Sequence, residues 1–209
     1  MHTIDHLFVF CRAGAPEAAQ LTSRGLDIGV RRQHHGQGTA NVCFGYGDGY
    51  LELLWLDDEQ AARDPMVKPL GLHERARWRE HNASPFGICL RPTTPGTPPP
   101  FPSWDYRPRY LPADLSLPMA CNSGVLGEPL LFAIDRPFVP LPQRHTLARR
   151  RLTRATLTVR ELAPMSLLRD LRVEALAVRD GDAPGLVLEF EGGGETLDLS
   201  PDLPLRLIW

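Results

Sequence analysis

Residues 6–16 read His-Leu-Phe-Val-Phe-Cys-Arg-Ala-Gly-Ala-Pro, and residues 154–164 read Arg-Ala-Thr-Leu-Thr-Val-Arg-Glu-Leu-Ala-Pro. The two stretches align without a gap, which places His6 opposite Arg154 and Pro16 opposite Pro164. In each stretch, apolar and polar residues alternate loosely, as in a strand. A turn then leads to a proline, a residue that is common in the first turn of a helix. The chain is therefore predicted to contain one structural unit twice.

The two units also end alike. Residues 47–54 read Gly-Asp-Gly-Tyr-Leu-Glu-Leu-Leu, and residues 193–200 read Gly-Gly-Glu-Thr-Leu-Asp-Leu-Ser, so that Glu52 stands opposite Asp198. Two further strands are predicted between the helix and the end of the first unit. We predict an α+β fold in which two βαβββ modules share a single domain over residues 1–209. Module one covers about 3–57, a helical linker and middle strands cover 58–150, and module two covers about 151–209.

The composition narrows the class of protein. The 209 residues carry a formal net charge of −2 and are 43% hydrophobic and 23% charged. These values are typical of a soluble globular protein and give no reason to expect nucleic acid or a membrane as a partner. No run approaches the ~20 apolar residues that span a bilayer, and the N-terminus lacks the pattern of a signal peptide. The four cysteines, at 11, 43, 89 and 121, show no CxxC spacing and are predicted to be free thiols. We therefore predict a cytoplasmic protein.

The 21 prolines are concentrated in the middle of the chain. Residues 92–102 read Pro-Thr-Thr-Pro-Gly-Thr-Pro-Pro-Pro-Phe-Pro. Proline lacks the N–H group that helices and inner strands require. The sequence therefore predicts a proline-rich inserted section that acts as a rigid spacer.

Alternation along the strands divides their side chains between two faces of a sheet. Leu7 and Val9 belong to the face that a helix would cover, whereas His6 and Glu52 point the other way. We expect the concave face of a curved sheet to carry His6, Glu52, Arg154 and Asp198.

Three stretches carry a family resemblance: Ile4-Asp5-His6, then His-His-Gly-Gln-Gly-Thr-Ala-Asn at 34–41, then Gly-Asp-Gly-Tyr-Leu-Glu-Leu at 47–53. In order and spacing they resemble the first module of glyoxalase-like domain proteins in the vicinal oxygen chelate superfamily, over roughly residues 3–90. The resemblance implies paired βαβββ modules that form an open, cup-shaped sheet around a site. In metal-dependent members each module supplies two ligands. By this pattern His6 and Glu52 are the predicted ligands of a divalent metal.

The second module departs from the pattern. Asp198 matches a carboxylate ligand, but the remaining position is Arg154, or Gly87 if the strand at 84–92 supplies it. Neither can coordinate a metal, and a permanently protonated arginine repels a dication. Two interpretations follow: His6, Glu52 and Asp198 hold a divalent metal with water, or the site works without any cofactor. The metal-free interpretation is favoured, and in it Arg154 either neutralises Glu52 or Asp198 or holds a substrate carboxylate in a fork of hydrogen bonds.

Residues 34–41 also have two interpretations. The glycines at 36 and 38 suit a bend that fixes strand register, and His34 and Asn41 suit a rim that contacts a small-molecule ligand. A basic run at 144–154 places His145 and Arg149 at the predicted mouth of the cup, where they would attract anionic substrates.

Two functions of different classes fit these residues. The first is a glyoxalase-like enzyme of isomerase or lyase type that acts on a compact anionic or carbonyl-bearing substrate. In it, His6 and Glu52 are the catalytic residues, and a metal or arginine stabilises the oxyanion of an enediolate. The predicted substrate-binding residues are Arg154, His34, Asn41 and Asp198. The second is a non-catalytic protein that binds or sequesters a small molecule after losing its metal site. Homodimerisation is a secondary prediction, since related modules pair edges or exchange units.

Overall fold

The computed structural model describes residues 1–144 and 147–209. Within these residues the strands form two sheets, one of eight strands and one of five. The strands of the first sheet are β1 (His2–Phe10), β2 (Ile28–His34), β3 (Thr39–Tyr46), β4 (Gly49–Leu56), β5 (Phe86–Pro92), β6 (Ser103–Tyr106), β7 (Leu117–Ala120) and β8 (Leu130–Ala133). Those of the second are β9 (Leu152–Val159), β10 (Leu176–Asp180), β11 (Gly185–Phe190), β12 (Thr196–Asp198) and β13 (Leu205–Ile208).

The helices are short and connect the strands. They are α1 (Ala18–Ser23), α2 (Glu59–Ala62), α3 (Leu72–Ala76), α4 (Trp78–His81) and α5 (Leu167–Asp170), with 3₁₀ turns at Lys68–Leu70 and Leu147–Arg149. Asp58 caps α2 by accepting hydrogen bonds from two amides of its first turn. No described helix is both long and apolar enough to cross a membrane. The α+β class predicted from the sequence is confirmed.

The first sheet consists of two similar halves, in the order β2-β3-β4-β1-β5-β8-β7-β6. In the first half β1 runs parallel to β4, and in the second half β5 runs parallel to β8. The halves meet where β1 and β5 pair antiparallel. The proline-rich residues 93–102 connect β5 to β6, at the place where α1 connects β1 to β2 in the first half. Since prolines cannot continue a helix, this connection lacks helical periodicity in the sequence.

The second half of this sheet therefore comes from residues 86–133 and not from 151–209, as the sequence repeat had suggested. The C-terminal unit has a different strand order, β10-β9-β11-β13-β12, in which the strand after its helix pairs directly with β9. In the first unit, the strand after the helix, β2, pairs with β3 and not with β1. Matching Glu52 with Asp198 is therefore wrong, because β11 and β13 separate β12 from β9.

The two sheets pack face to face. Leu7 and Val9 of β1 and Ala155 and Leu157 of β9 belong to one buried cluster, together with residues of α1. Phe8 belongs to a second cluster on the other face of the first sheet, so the predicted alternation along β1 is confirmed. Burial of apolar surface stabilises the folded state by roughly 25 cal/mol per Å². This packing covers one face of the first sheet. Its opposite, concave face carries the cavity.

A buried arginine ties the segment before β8 to the helices. Arg75 on α3 is fully buried, and burial lowers its pKa to about 10. Its guanidinium donates hydrogen bonds to backbone carbonyls of Leu70, Ser84, Ser123, Val125, Leu126 and Glu128. This single side chain fixes residues 123–128, and with them the start of β8, against the helical layer.

Candidate functional site

A cavity of about 290 Å³ lies on the concave face of the first sheet. This volume is near the lower end of the ~300–1,000 Å³ range of small-molecule sites. Polar side chains from β1 to β4 form its floor. Its wall is largely apolar and comes from the helical layer, from β6 to β8, and from the irregular residues 134–141. The apolar wall residues are Leu70, Leu72, Leu111, Leu117, Met119, Leu130, Phe132, Ile134, Phe138, Val139 and Leu141.

Asp5 and His6 reach the floor together, although they are neighbours in the chain. The pairing of β1 with β5 shifts register between Ile4 and His6, which leaves Asp5 as an extra residue. Such a bulge re-aims side chains that would otherwise point to opposite faces. The Asp5 Oδ1 atom lies 2.8 Å from His6 Nδ1, and both side chains are buried and line the cavity.

Asp5 is held as a carboxylate. Burial alone would raise its pKa, but the hydrogen bond from His6 and the nearby charges of His6 and Arg91 together keep the pKa below its usual value. Arg91 Nη1 lies 3.4 Å from Asp5 Oδ2. An ionised Asp5 accepts the proton on His6 Nδ1, which leaves His6 Nε2 directed at the rest of the site.

Glu52 stands on the other side of His6. Its Oε2 atom lies 3.6 Å from His6 Nε2, and both side chains are buried. Its Oε1 atom accepts a hydrogen bond of 2.6 Å from Asn41 Nδ2. Each member of the His6–Glu52 pair is therefore held from its far side, by Asp5 and by Asn41, while the facing atoms line the cavity.

Asn41 and His34 extend this network along β3 and β2. His34 Nε2 lies 3.3 Å from Asn41 Nδ2, and His34 Nδ1 lies 2.9 Å from Thr39 Oγ1. The arrangement requires a neutral His34 that accepts from Asn41, and burial lowers the pKa of His34 accordingly. Asn41 Oδ1 is buried and meets no donor among the described residues. It can accept a hydrogen bond from a ligand or a water molecule.

Residues 34–41 form the predicted bend, and ligand contact by His34 and Asn41 stays a prediction. Gly36 and Gly38 adopt positive φ angles of 77° and 82°, as a tight turn between β2 and β3 requires. His34 and Asn41, which flank that turn, line the cavity.

Aromatic rings enclose the two histidines. Tyr50 stacks on His6 with ring centroids 4.3 Å apart, and Phe132 meets the same ring edge-on at 5.5 Å. Tyr110 stacks on His34 at 4.6 Å. These contacts fix both imidazole rings and leave little room for a second orientation.

The described residues do not fit the four-ligand metal site that the family resemblance implies. Opposite His6 and Glu52, the concave face of β5 and β8 presents Gly87, Cys89 and Phe132. Glycine and phenylalanine have no side-chain ligand atom, and the Phe8 ring occupies the space that a side chain at Gly87 would need. Burial raises the pKa of the Cys89 thiol well above its usual value, so the thiol stays protonated.

Asp5, His6 and Cys89 do lie close together, with ligand atoms within 4.8 Å of one another. However, Asp5 and His6 already bind each other, and Asp5 also pairs with Arg91. A metal at this position would have to displace these interactions and deprotonate Cys89. A metal bound by this set would therefore compete with the Asp5–His6 and Asp5–Arg91 interactions.

Two of the predicted substrate-binding residues, Arg154 and Asp198, do not line this cavity, which corrects their predicted position. Arg154 lies on β9 with its side chain exposed, opposite Glu189 of β11. Asp198 is exposed on β12 and binds Arg206 at 2.7 Å. The predicted alternation on β9 is present, but its outward side faces solvent and not the cup.

The described residues of the basic run at 144–154 do not line the cavity. Arg149 is exposed, and its Nε donates to the carbonyl of Gln143. His145 falls outside the described residues, so its predicted place at the mouth stays a prediction.

A protein-family model matches the part of the chain that forms the first half of this site. Residues 4–96 match the family model described as a glyoxalase-like domain. The match runs from β1 through β5 and includes Asp5, His6, Asn41 and Glu52. It confirms the resemblance to glyoxalase-like domain proteins over this part of the chain. No curated protein sequence matches the chain significantly.

Two solved structures are similar in shape. A crystal structure of a hypothetical protein from Staphylococcus aureus has a TM-score of 0.55 at 10% identity, and the similarity covers 99% of each chain. Methylmalonyl-CoA epimerase, in complex with methylmalonyl-CoA and NH4+, has a TM-score of 0.44 at 16% identity, covering 68% of this chain and 99% of that one. The first similarity shows that the two chains share a fold that includes both sheets.

Proposed function

We propose that the cavity binds a small carbonyl compound and that His6 and Glu52 transfer a proton to and from the carbon next to its carbonyl group. The observation that carries this proposal is the geometry of the pair. His6 Nε2 and Glu52 Oε2 lie 3.6 Å apart in a buried cavity, and Asp5 and Asn41 hold the two side chains from behind. The glyoxalase-like match over the same residues supports small-molecule chemistry of isomerase or lyase type.

The two groups have complementary roles in this proposal. Glu52 is the general base that removes the C–H proton through Oε2, the oxygen that Asn41 does not bind. His6, protonated and backed by ionised Asp5, is the acid that supplies a proton to the developing oxyanion. The enol formed in this way carries an O–H group, and the orphaned Asn41 Oδ1 is a suitable acceptor for it. Glu52 then gives its proton back to the carbon while the enol O–H proton returns to His6, and in D₂O exchange of the Glu52 proton with solvent before this return replaces the C–H proton by deuterium.

Proton exchange tests this function directly. The protein is incubated in D₂O with a panel of α-keto and α-hydroxy acids, and ¹H NMR follows the loss of the signal from the C–H protons next to the ketone or carboxyl group. We expect Glu52→Gln to slow exchange by about 10²–10⁴-fold, as removal of a general base does. Arg154→Gln is the matched control, because this exposed side chain lies on the second sheet. Equal exchange rates in Glu52→Gln and the unmodified protein would exclude the proposed role.

The second candidate is a non-catalytic binding protein. The observation that favours it is the replacement of ligand-bearing side chains by Gly87 and Phe132 on the second half of the sheet, beside a mostly apolar wall. In that case a bound compound is released unchanged and without deuterium. His6→Gln would then alter its dissociation constant without any effect on exchange.

A further inference from the structure

Two arginines line the cavity where it meets solvent. Arg32 lies on β2, at one end of the sheet order, and Arg136 follows β8 in the other half. The irregular residues 134–141 bring the two halves together, because they run from β8 back to β2 and β3. Leu141 packs there so closely that a Cβ atom at Gly29 or Gly45 would lie 2.8 Å from the Leu141 Cβ atom.

Among the described residues, no carboxylate pairs with either arginine. Arg32 and Arg136 are exposed and form no ion pair or side-chain hydrogen bond with any described residue. Other arginines of the chain do meet carboxylates, as Arg151 meets Glu191 at 2.9 Å. The charge of Arg136 also reaches the cavity interior, where it partly opposes the rise in the pKa of Tyr110 that burial causes.

The two acidic residues that line the cavity are buried, whereas the two arginines that line it are exposed. Asp5 and Glu52 are both buried and both engaged, with His6 and Asn41 respectively. From the floor to the rim the wall is largely apolar. The cavity thus presents a proton-transfer pair at its base, an apolar body, and two uncompensated positive charges at its entrance.

We propose that the ligand is an amphipathic carboxylate whose hydrocarbon body lies along the apolar wall and whose anionic group binds Arg32 and Arg136. Guanidinium groups bind carboxylates through paired, charge-assisted hydrogen bonds. The proposal depends on the cavity being the substrate site of the proposed function, and it defines the substrate class of that site. Its test measures binding and not proton exchange, so the two proposals fail separately.

Three probes with one hydrocarbon chain isolate the head group: octanoate, octanol and octylammonium. Their dissociation constants are measured by isothermal titration calorimetry for the unmodified protein and for Arg32→Gln, Arg136→Gln and Arg154→Gln. We expect octanoate to bind more tightly than octanol, and octylammonium to bind least tightly. Each rim substitution is expected to weaken octanoate binding about tenfold and to leave octanol binding unchanged, whereas Arg154→Gln changes neither. Because exposed charges are screened by salt, the preference for octanoate should shrink at high ionic strength.

Two outcomes would overturn the proposal. Equal affinity for octanoate and octanol, unaffected by Arg32→Gln and Arg136→Gln, would show that the rim does not select an anion. An equal loss in Arg154→Gln would show that overall charge, and not the rim, attracts octanoate. In either case a positive deuterium-exchange result would leave the His6–Glu52 function standing. Unchanged thermal unfolding midpoints confirm that the exposed substitutions leave the fold intact.

Discussion

His6 Nδ1 lies 2.8 Å from the Oδ1 atom of Asp5, the residue directly before it in the chain. Consecutive residues of a regular strand point to opposite faces of a sheet. The pair exists because the register of β1 against β5 shifts between Ile4 and His6. The shift places the carboxylate of Asp5 against Nδ1 of His6 and so fixes the orientation of the imidazole ring.

Replacement of Asp5 by asparagine should therefore impair His6 without removing it. The Asp5→Asn variant loses a charge-assisted hydrogen bond, a contribution of ~1.5–3 kcal/mol. We expect the proton-exchange rate to fall about 10- to 100-fold. The measurement is the deuterium exchange described above, with the rate determined between neutral and acidic pH.

Asp48→Asn is the matched control for that variant. Asp48 is also near Arg91, at 4.0 Å, but its side chain is largely exposed outside the cavity. Its substitution should leave the exchange rate unchanged. A comparable loss in both variants would mean that the charge around Arg91 matters and that orientation of His6 does not.

The same carboxylate should make stability depend on pH. The pKa of Asp5 is lower in the folded protein than its usual value of 3.8. The folded state therefore binds fewer protons at Asp5 than the unfolded state, and stability falls as the pH drops below about 4 through the folded pKa. Urea denaturation at several pH values should show a steeper acid loss in the unmodified protein than in Asp5→Asn. Identical acid slopes would contradict the assignment.

Removal of the buried guanidinium at Arg75 should destabilise the whole chain. Arg75→Met leaves several backbone carbonyls without donors, and each unsatisfied buried group costs about 1–3 kcal/mol. We expect the free energy of unfolding to fall by at least about 3 kcal/mol in urea titrations. Arg77→Met is the control, because Arg77 makes only an exposed ion pair with Glu59, and such pairs contribute ~0–1 kcal/mol. Similar losses in the two variants would argue against a special role for Arg75.

Chelation should leave the activity intact. Since Gly87 and Phe132 provide no side-chain ligand atoms and Cys89 stays protonated, we expect proton exchange to continue after dialysis against EDTA. Mass spectrometry of untagged protein should find much less than one equivalent of divalent metal, with no difference in His6→Ala. A loss of exchange that Zn²⁺ or Mn²⁺ restores would establish a metal site that uses His6 and Glu52.

Local patterns in the sequence were sufficient for the first half of the site. Alternation along β1 and β4 correctly placed His6 and Glu52 on one concave face, since period-two patterns depend only on neighbouring residues. The motif at 34–41 correctly indicated His34 and Asn41 as cavity residues. Asp5 was missed because the same alternation assigns it to the opposite face, and a bulge is not visible in a single strand.

Strand order was the part that the sequence could not supply. Residues 6–16 and 154–164 do align without a gap. However, such an alignment does not indicate which strands pair with each other. It therefore led to Arg154 and Asp198, whose strands belong to the other sheet. The actual second half of the cavity, residues 86–133, lacks a helix between its first two strands, so periodicity could not identify it as a repeat. Homodimerisation and cytoplasmic location stay predictions.

The C-terminal sheet closes the back of the first sheet, yet no described residue beyond Leu141 lines the cavity. Ligand recognition and much of the buried core therefore reside in different stretches of chain. Substitutions within 152–208 can alter the melting temperature while leaving ligand preference untouched. In an engineered version of this protein, the C-terminal third can be changed to raise stability. Ligand specificity can be changed separately, through the residues up to 141 that line the cavity.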